Sequence, residues 1–198
     1  MTEVTTLGLF RHGQTDWNID FRLQGTTDTL MNDFGKQQVS VAAEVLAGKH
    51  AGWDVLLTSP LTRARQTSQI LASRLGMNEV LEAPLLLERS FGLGEGLTYD
   101  EWQQHYQRLD DIPGAESTAS VTSRAGELLD WVAREYEGKR VLAVSHGALI
   151  RYVLNLVTEG SVPPPGERLQ NASLHLLTRD LDAWNLRAWA PQSLTDAP

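Results

Sequence analysis

Arginine, histidine and glutamate recur in this chain at the same kind of place, directly behind a short apolar run. Arg11, His12 and Gly13 follow TTLGLF; Ser59 follows VLLT, with Arg63 and Arg65 close behind; Glu88 and Arg89 follow VLEAPLLL; His146 and Gly147 follow VLAVS. Two histidines and one carboxylate could ligate a metal, but a cation is disfavoured beside several arginines. The same arginines suit a phosphate dianion, which guanidinium groups hold by paired charge-assisted hydrogen bonds. A histidine pinned beneath such a phosphate can attack it. Positive neighbours disfavour imidazolium, so His12 is expected to be neutral and nucleophilic, its other ring nitrogen tied to an acceptor that the sequence does not identify. Glu88 is then placed to protonate the leaving oxygen, and the substrate's own negative charge favours that task. Taken singly, each residue has an ordinary reading as a solvated helix arginine, a surface carboxylate or a loop histidine. Their joint occurrence behind four apolar runs marks a site.

These residues need a scaffold that brings the runs together. Thr5–Phe10, Val55–Thr58 and Val141–Ser145 read as short buried strands, and Val80–Leu87 as another, irregular or at an edge because of Pro84. Ser173–Thr178 and Trp184–Ala190 read as a late hairpin around Arg179–Asp182. Helical patterns lie between: Phe34–Ala47, capped by Asn32 and stopped by Gly48; Leu61–Leu75, entered through Ser59-Pro60 and stopped by Gly76; Ser117–Tyr136; and Ala148–Val157. Alternating strands and helices predict an α/β fold, three layers α/β/α around a mostly parallel sheet, in a single domain. In such sheets ligands bind beyond the carboxyl ends of the strands, where the arginines and histidines fall. Helix N-termini after Pro60 and at Gly147 add backbone donors for an anion. The catalytic domain is expected over residues 1–191, with 192–198 a loose tail.

Bulk composition narrows the class. With 198 residues, 41% of them hydrophobic, the chain can bury a core as one domain. A formal net charge of −8 argues against sequence-independent nucleic-acid binding, although a local cationic pocket remains compatible with it. No cysteine is present, which excludes disulfides, thiolate metal sites and a thiol nucleophile. The N-terminus lacks a signal-peptide pattern and no apolar run is long enough to span a bilayer, so a cytoplasmic protein without membrane contact is expected.

The same segments resemble the signatures of the histidine phosphatase superfamily, the phosphoglycerate-mutase-like group. RHGQTDWN (Arg11–Asn18) is similar to the segment whose histidine becomes transiently phosphorylated. RLQGTTDTLMNDFGKQQ (Arg22–Gln38) resembles the substrate-side loop and first helix, and SPLTRARQT (Ser59–Thr67) the segment with a second phosphate-binding arginine, Arg63 by position. LLERSFGLGEG (Leu86–Gly96) resembles the proton-donor segment, with Glu88 in that place. IPGAES (Ile112–Ser117) is similar to a further substrate-side loop, and SHGALIR (Ser145–Arg151) brings the second histidine, His146.

The resemblance implies a two-step reaction. Arg11, Arg63 and His146 hold the phosphoryl group with Asn18 as a further donor, His12 forms a phosphohistidine, and Glu88 protonates the leaving alcohol. Water then attacks, with Glu88 as base, and neither metal nor cofactor is required. The short Glu88–His146 stretch and SFGLGEGLTYDE favour the phosphatase branch over the alternative, a cofactor-dependent mutase. A non-catalytic phospholigand-binding module would have lost one of these residues, and none is lost.

The expected partner is a small phosphorylated metabolite: a phosphoglycerate, a sugar phosphate, ribazole phosphate or a nucleotide monoester. Its leaving group is expected to meet the Glu88–Ser117 segment and the loop at Gln24 and Gly25. Trp102, His105 and Tyr106 offer ring contacts there, although Trp102 and Tyr106 at helical spacing more readily serve packing. The chain departs from the family's usual residues at Leu30, Met31 and Gly94, and the glycines of GLGEG suggest a flexible loop. The exposed late strand suggests a homodimer by edge pairing.

Overall fold

The structure is a computed structural model that describes residues 4–49, 52–180 and 183–189. In chain order its elements are β1 (Thr5–Arg11), α1 (Asp16–Ile19), α2 (Asp33–Lys49), β2 (Val55–Thr58), α3 (Thr62–Leu75), β3 (Leu81–Glu82), α4 (Tyr99–His105), α5 (Thr118–Glu135), β4 (Arg140–Ser145), α6 (Gly147–Val157), β5 (Leu174–Asp180) and β6 (Ala183–Ala188). The strands form one sheet in the order β3-β2-β4-β1-β5-β6. The pairs β1/β4, β2/β4 and β2/β3 are parallel, while β1/β5 and β5/β6 are antiparallel. The sheet is thus mostly parallel, with an antiparallel hairpin along one side.

Successive strand residues face opposite sides of the sheet, which explains why the central strands are apolar throughout. Leu7, Leu9, Val141 and Ala143 pack with α5 and α6; Phe10, Leu142 and Val144 pack with α2 and α3. Two cores on either face of one sheet make the three layers. Trp53 is buried in the second core, and Trp131 and Trp184 lean on the first.

The elements differ from the sequence expectation in three places. The strand expected over Val80–Leu87 is only Leu81–Glu82, because Pro84 opens a 3-10 turn, Pro84–Leu86, and has no N–H for the ladder. The helix expected to stop at Gly48 continues to Lys49, and Gly48 has open space around it. Ser59 does not cap α3: the Thr62 N–H donates to Asp28 Oδ1 at 2.7 Å, a partner from a distant loop. Gly76, in contrast, ends α3 in the left-handed conformation, as its type requires (φ 67°). The turn at Leu181 and Asp182 and the tail from residue 192 lie outside the described residues. Strand β6 is an edge of the sheet. No helix among the described residues is long and apolar enough to cross a membrane.

Candidate active site

The end of β1 is fixed from both sides. The Arg11 N–H donates to the Ser173 carbonyl at 3.0 Å, and the His12 N–H donates to the Ser145 carbonyl at 3.0 Å. Behind them Gly13 is required for space rather than for a turn. A Cβ there would lie 2.6 Å from the Gly35 carbonyl oxygen, so α2 could not approach. The Gly13 N–H donates to Thr67 Oγ1, which anchors the loop to α3.

This geometry sets the His12 tautomer. Nδ1 lies 2.8 Å from the Gly13 carbonyl oxygen. A carbonyl only accepts, so Nδ1 carries the hydrogen and Nε2 keeps its lone pair, with no partner among the described residues. Burial first, then the charges of Arg63 and Arg11, hold the ring's pKa well below the ordinary histidine value. His12 is therefore a neutral base, as expected, and its acceptor is its own neighbour's carbonyl.

The His146 ring stands 5.1 Å from the His12 ring, centroid to centroid. Its Nε2 lies 2.7 Å from Ser59 Oγ, which also accepts the Leu61 N–H at 3.4 Å. The buried Ser59 hydroxyl has no other acceptor among the described residues, so its hydrogen goes to His146 Nε2, which leaves Nδ1 protonated. Burial, Arg63, His12 and Arg11 hold His146 well below its usual pKa, so it too is neutral. Its Nδ1–H has no partner although it is buried, and the same is true of Arg11 Nε and Arg63 Nε. Three buried donors around one histidine are left for an anion to satisfy. Both remaining arms of Arg63 and one of Arg11 are anchored. Arg63 donates to the carbonyls of Thr27 at 2.9 Å and Gly25 at 2.8 Å, and Arg11 donates to the Leu169 carbonyl. Burial lowers the Arg11 pKa to about 10, against the opposing pull of Glu88.

Glu88 reaches the same edge by a different route from the expected one. It follows the 3-10 turn rather than a strand and docks on the start of α6. One oxygen accepts N–H groups of Arg89 at 2.9 Å and Leu149 at 3.0 Å, the other that of Ala148 at 3.1 Å. Arg124 supports the segment from beneath. It donates to the carbonyls of Leu87 at 2.6 Å and Leu85 at 3.2 Å, while its other edge grips both Glu116 oxygens at 3.1 and 2.7 Å. Arg124→Leu would strand the half-buried Glu116, and the expected loss is about 3 kcal/mol of stability. Urea unfolding measures it; a loss under about 1 kcal/mol would show that the bridge is not a support.

The other expected residues are placed as follows. Asn18 Oδ1 accepts the Thr15 N–H at 3.0 Å and Asn171 Nδ2 at 3.1 Å, which leaves its own amide as the donor. Gln24 is buried and accepts from Thr29, so its amide is likewise available. Gly25 acts through its carbonyl to Arg63; its φ of 54° and a Cβ position 2.1 Å from Glu95 Oε1 admit only glycine. Gly147 opens α6 against Arg11, and a Cβ there would be 3.4 Å from Arg11 Nε. Arg65 points elsewhere, to Glu82 at 3.5 Å. Trp102 is buried with its ring edge on Tyr99, in the packing role.

Several further residues act by holding others in place. Asn171 Nδ2 joins the His12 carbonyl to Asn18, and Ser59 orients His146. Arg89 is buried and donates to Tyr152, the Glu116 carbonyl and the Asp110 carboxylate. Glu95 accepts from the backbones of Thr26, Thr27 and Phe91 and from both threonine hydroxyls. Burial alone would raise its pKa, but these bonds outweigh it and hold it low. The glycine-rich loop is therefore clasped to the 24–29 loop rather than free, and Gly94 packs on Ile112.

Removing the hydroxyl in Ser59→Ala frees His146 to take the other tautomer and forfeits one donor to the anion. The expected loss in kcat/KM on an aryl phosphate is about 10- to 100-fold, with a folded protein. A value within twofold of wild type would disprove the tautomer assignment.

An anion cradle of arginines and helix-terminal amides around a neutral histidine, at the carboxyl edge of an α/β sheet, defines a phosphoryl-handling protein. The family model of the histidine phosphatase superfamily (branch 1) matches residues 7–192, and the chain belongs to that family. It is 34% identical over 93% of its length to the uncharacterized phosphatase PhoE of Bacillus subtilis, and covers 93% of that protein. To the metal-independent phosphoserine phosphatase of Arabidopsis thaliana it is 30% identical, over 97% of this chain and 84% of the other. Among solved structures, mycobacterial glucosyl-3-phosphoglycerate phosphatase superposes with a TM-score of 0.79 at 28% identity, over 94% of this chain and 98% of that one. Relatives named as phosphatases and as phosphoglycerate-mutase-like proteins both occur. Among the described residues, no group of three or more histidine, aspartate or glutamate side chains is arranged to hold a metal ion.

Proposed function

We propose that the protein hydrolyses phosphomonoesters of small metabolites through a phosphohistidine on His12. The observation that carries this reading is the trio of buried, unpartnered donors, Arg11 Nε, Arg63 Nε and His146 Nδ1, about a histidine whose Nδ1 hydrogen is already committed. The phosphoryl oxygens take those donors, with the amides of Asn18, Gln24 and Gly147 at the rim. His12 Nε2 attacks phosphorus in line, and the bond to the leaving oxygen breaks. Glu88 gives that oxygen its proton from Oε2, which accepts one backbone bond where Oε1 accepts two. Water then attacks the phosphohistidine, Glu88 takes a proton back, and the P–N bond breaks to release phosphate. Fixed cations supply the charge stabilisation throughout.

The test is incubation with 3-phosphoglycerate, with and without 2,3-bisphosphoglycerate, in the presence of a chelator. Phosphate release is expected to outpace isomerisation and to be undiminished by the chelator. Faster isomerisation would make the protein a mutase, and binding without either reaction would make it a phospholigand-binding module.

A further inference from the structure

Beside the phosphate cradle lies a cavity of about 240 Å³ that shares Gly147 and Ala148 with it. These residues begin α6, whose next amides hold Glu88, so the cavity opens where a leaving group would emerge. Its walls are partly apolar, through Leu109, Leu169 and Phe91, and partly cationic, through Arg151 and Arg168. The volume suits a small metabolite rather than a long chain.

The two arginines, Arg151 and Arg168, have no carboxylate within ion-pair distance among the described residues, although acidic residues outnumber basic ones by 25 to 17 in the chain. Arg151 is half-buried, and one of its arms donates to the Glu167 backbone carbonyl rather than to a carboxylate. Arg168 is held against the ring of Phe21, its guanidinium carbon 4.5 Å from the ring centroid. Phe21 itself sits in the left-handed backbone region, at φ 55°, and is exposed. For a bulky aromatic residue that conformation is strained, and strain of this kind gathers at functional sites. The charges of both arginines are felt at Arg11, so they belong to the same electrostatic field as the phosphate cradle. Arg89, the other cation in the cavity wall, is already satisfied by Asp110, Glu116 and Tyr152. Of the wall cations, Arg151 and Arg168 have no carboxylate within ion-pair distance among the described residues, although the Glu167 charge is felt at Arg151.

We propose that this cavity is the leaving-group subsite and that Arg151 and Arg168 form a second anion site within it. The preferred substrates are then phosphomonoesters whose alcohol carries a negative group of its own, a carboxylate or a second phosphate. The inference rests on the phosphatase reading above and refines its substrate class.

A three-carbon series tests it: propyl phosphate, 3-(phosphonooxy)propanoate and propane-1,3-diyl bisphosphate. At least one anionic ester is expected to exceed propyl phosphate in kcat/KM by about 10- to 100-fold, and the two anionic arms tell carboxylate from phosphate. In Arg168→Gln and in Arg151→Gln/Arg168→Gln the ratio should fall towards one; exposed Arg168 alone offers a variant with little risk to folding. No preference in wild type, or a preference that survives in the double variant, would overturn the proposal. Calorimetric binding of the same esters to His12→Ala reads the second anion site without turnover. If wild type hydrolyses none of the esters, the phosphatase reading fails, and the binding ratio still decides the second anion site.

Discussion

His12→Ala is expected to lower turnover of an aryl phosphate by at least about 10⁴-fold, the scale on which loss of a covalent nucleophile is felt. Nothing nearby can replace it. His146 has its Nε2 bonded to Ser59 and presents an N–H, not a lone pair, to the cradle. Glu88 has both oxygens on backbone amides. Binding should survive, because the donors of Arg11, Arg63 and His146 remain. Rapid-quench experiments with labelled ester separate the two effects: wild type should show acid-labile label on the protein and the variant none, with phosphate affinity changed only a few-fold. Turnover within tenfold of wild type would remove His12 from the mechanism.

The second large effect is loss of stability in mild acid. His12 and His146 are held well below the usual histidine pKa by burial and by the arginines, and burial takes His175 to about 4. In the unfolded chain each protonates near 6.5. Below that pH the unfolded state binds protons that the folded state refuses, so folding free energy falls as pH falls. Each histidine contributes about 1.4 kcal/mol per pH unit, and all three together about 4 kcal/mol per unit, until their folded pKa values are reached. A domain with about 6–10 kcal/mol of stability, within the ordinary range, should then unfold between roughly pH 4 and 5. The low carboxylate pKa values of Glu95 and Asp110 act in the same direction, but at still lower pH. Urea unfolding at pH 7.5, 6.0 and 5.0 measures the slope, and His175→Gln should cut it by about a third. A slope below about 1.4 kcal/mol per unit would mean that these histidines are not buried neutral.

Much of the fold and the site is legible in the sequence, and the division has a physical basis. The strand ends at Arg11, Thr58 and Ser145 follow from apolar runs covered on both faces, and a run of that kind is visible in the sequence itself. Gly76 stops its helix as its type predicts. The third strand misleads because its apolar run continues past Pro84, although the backbone turns there into a 3-10 helix. Ser59-Pro60 has the composition of a cap, yet the hydroxyl is taken by a histidine 87 positions away. Arg124 carries no signal within its helical segment, and only folding brings Glu116 and the Leu87 carbonyl to it. Residues expected to touch substrate are legible because chemistry restricts their type. Residues that hold them in place are not, since many types can do so and their partners lie far along the chain.

Asn171 and the carbonyls of Leu169 and Ser173 have a consequence for how the protein is made. A nascent chain that has reached His146 already carries every residue expected to take part in catalysis. The hold on the Arg11 guanidinium, the Arg11 amide, the His12 carbonyl and the Asn18 amide comes from the chain entering β5, translated roughly 25 residues later. β1, which leads into His12, thus relies on a strand far along the chain for one side of its pairing. A chain cut before Leu169 keeps every residue expected to take part in catalysis and loses the hold on Arg11, His12 and Asn18.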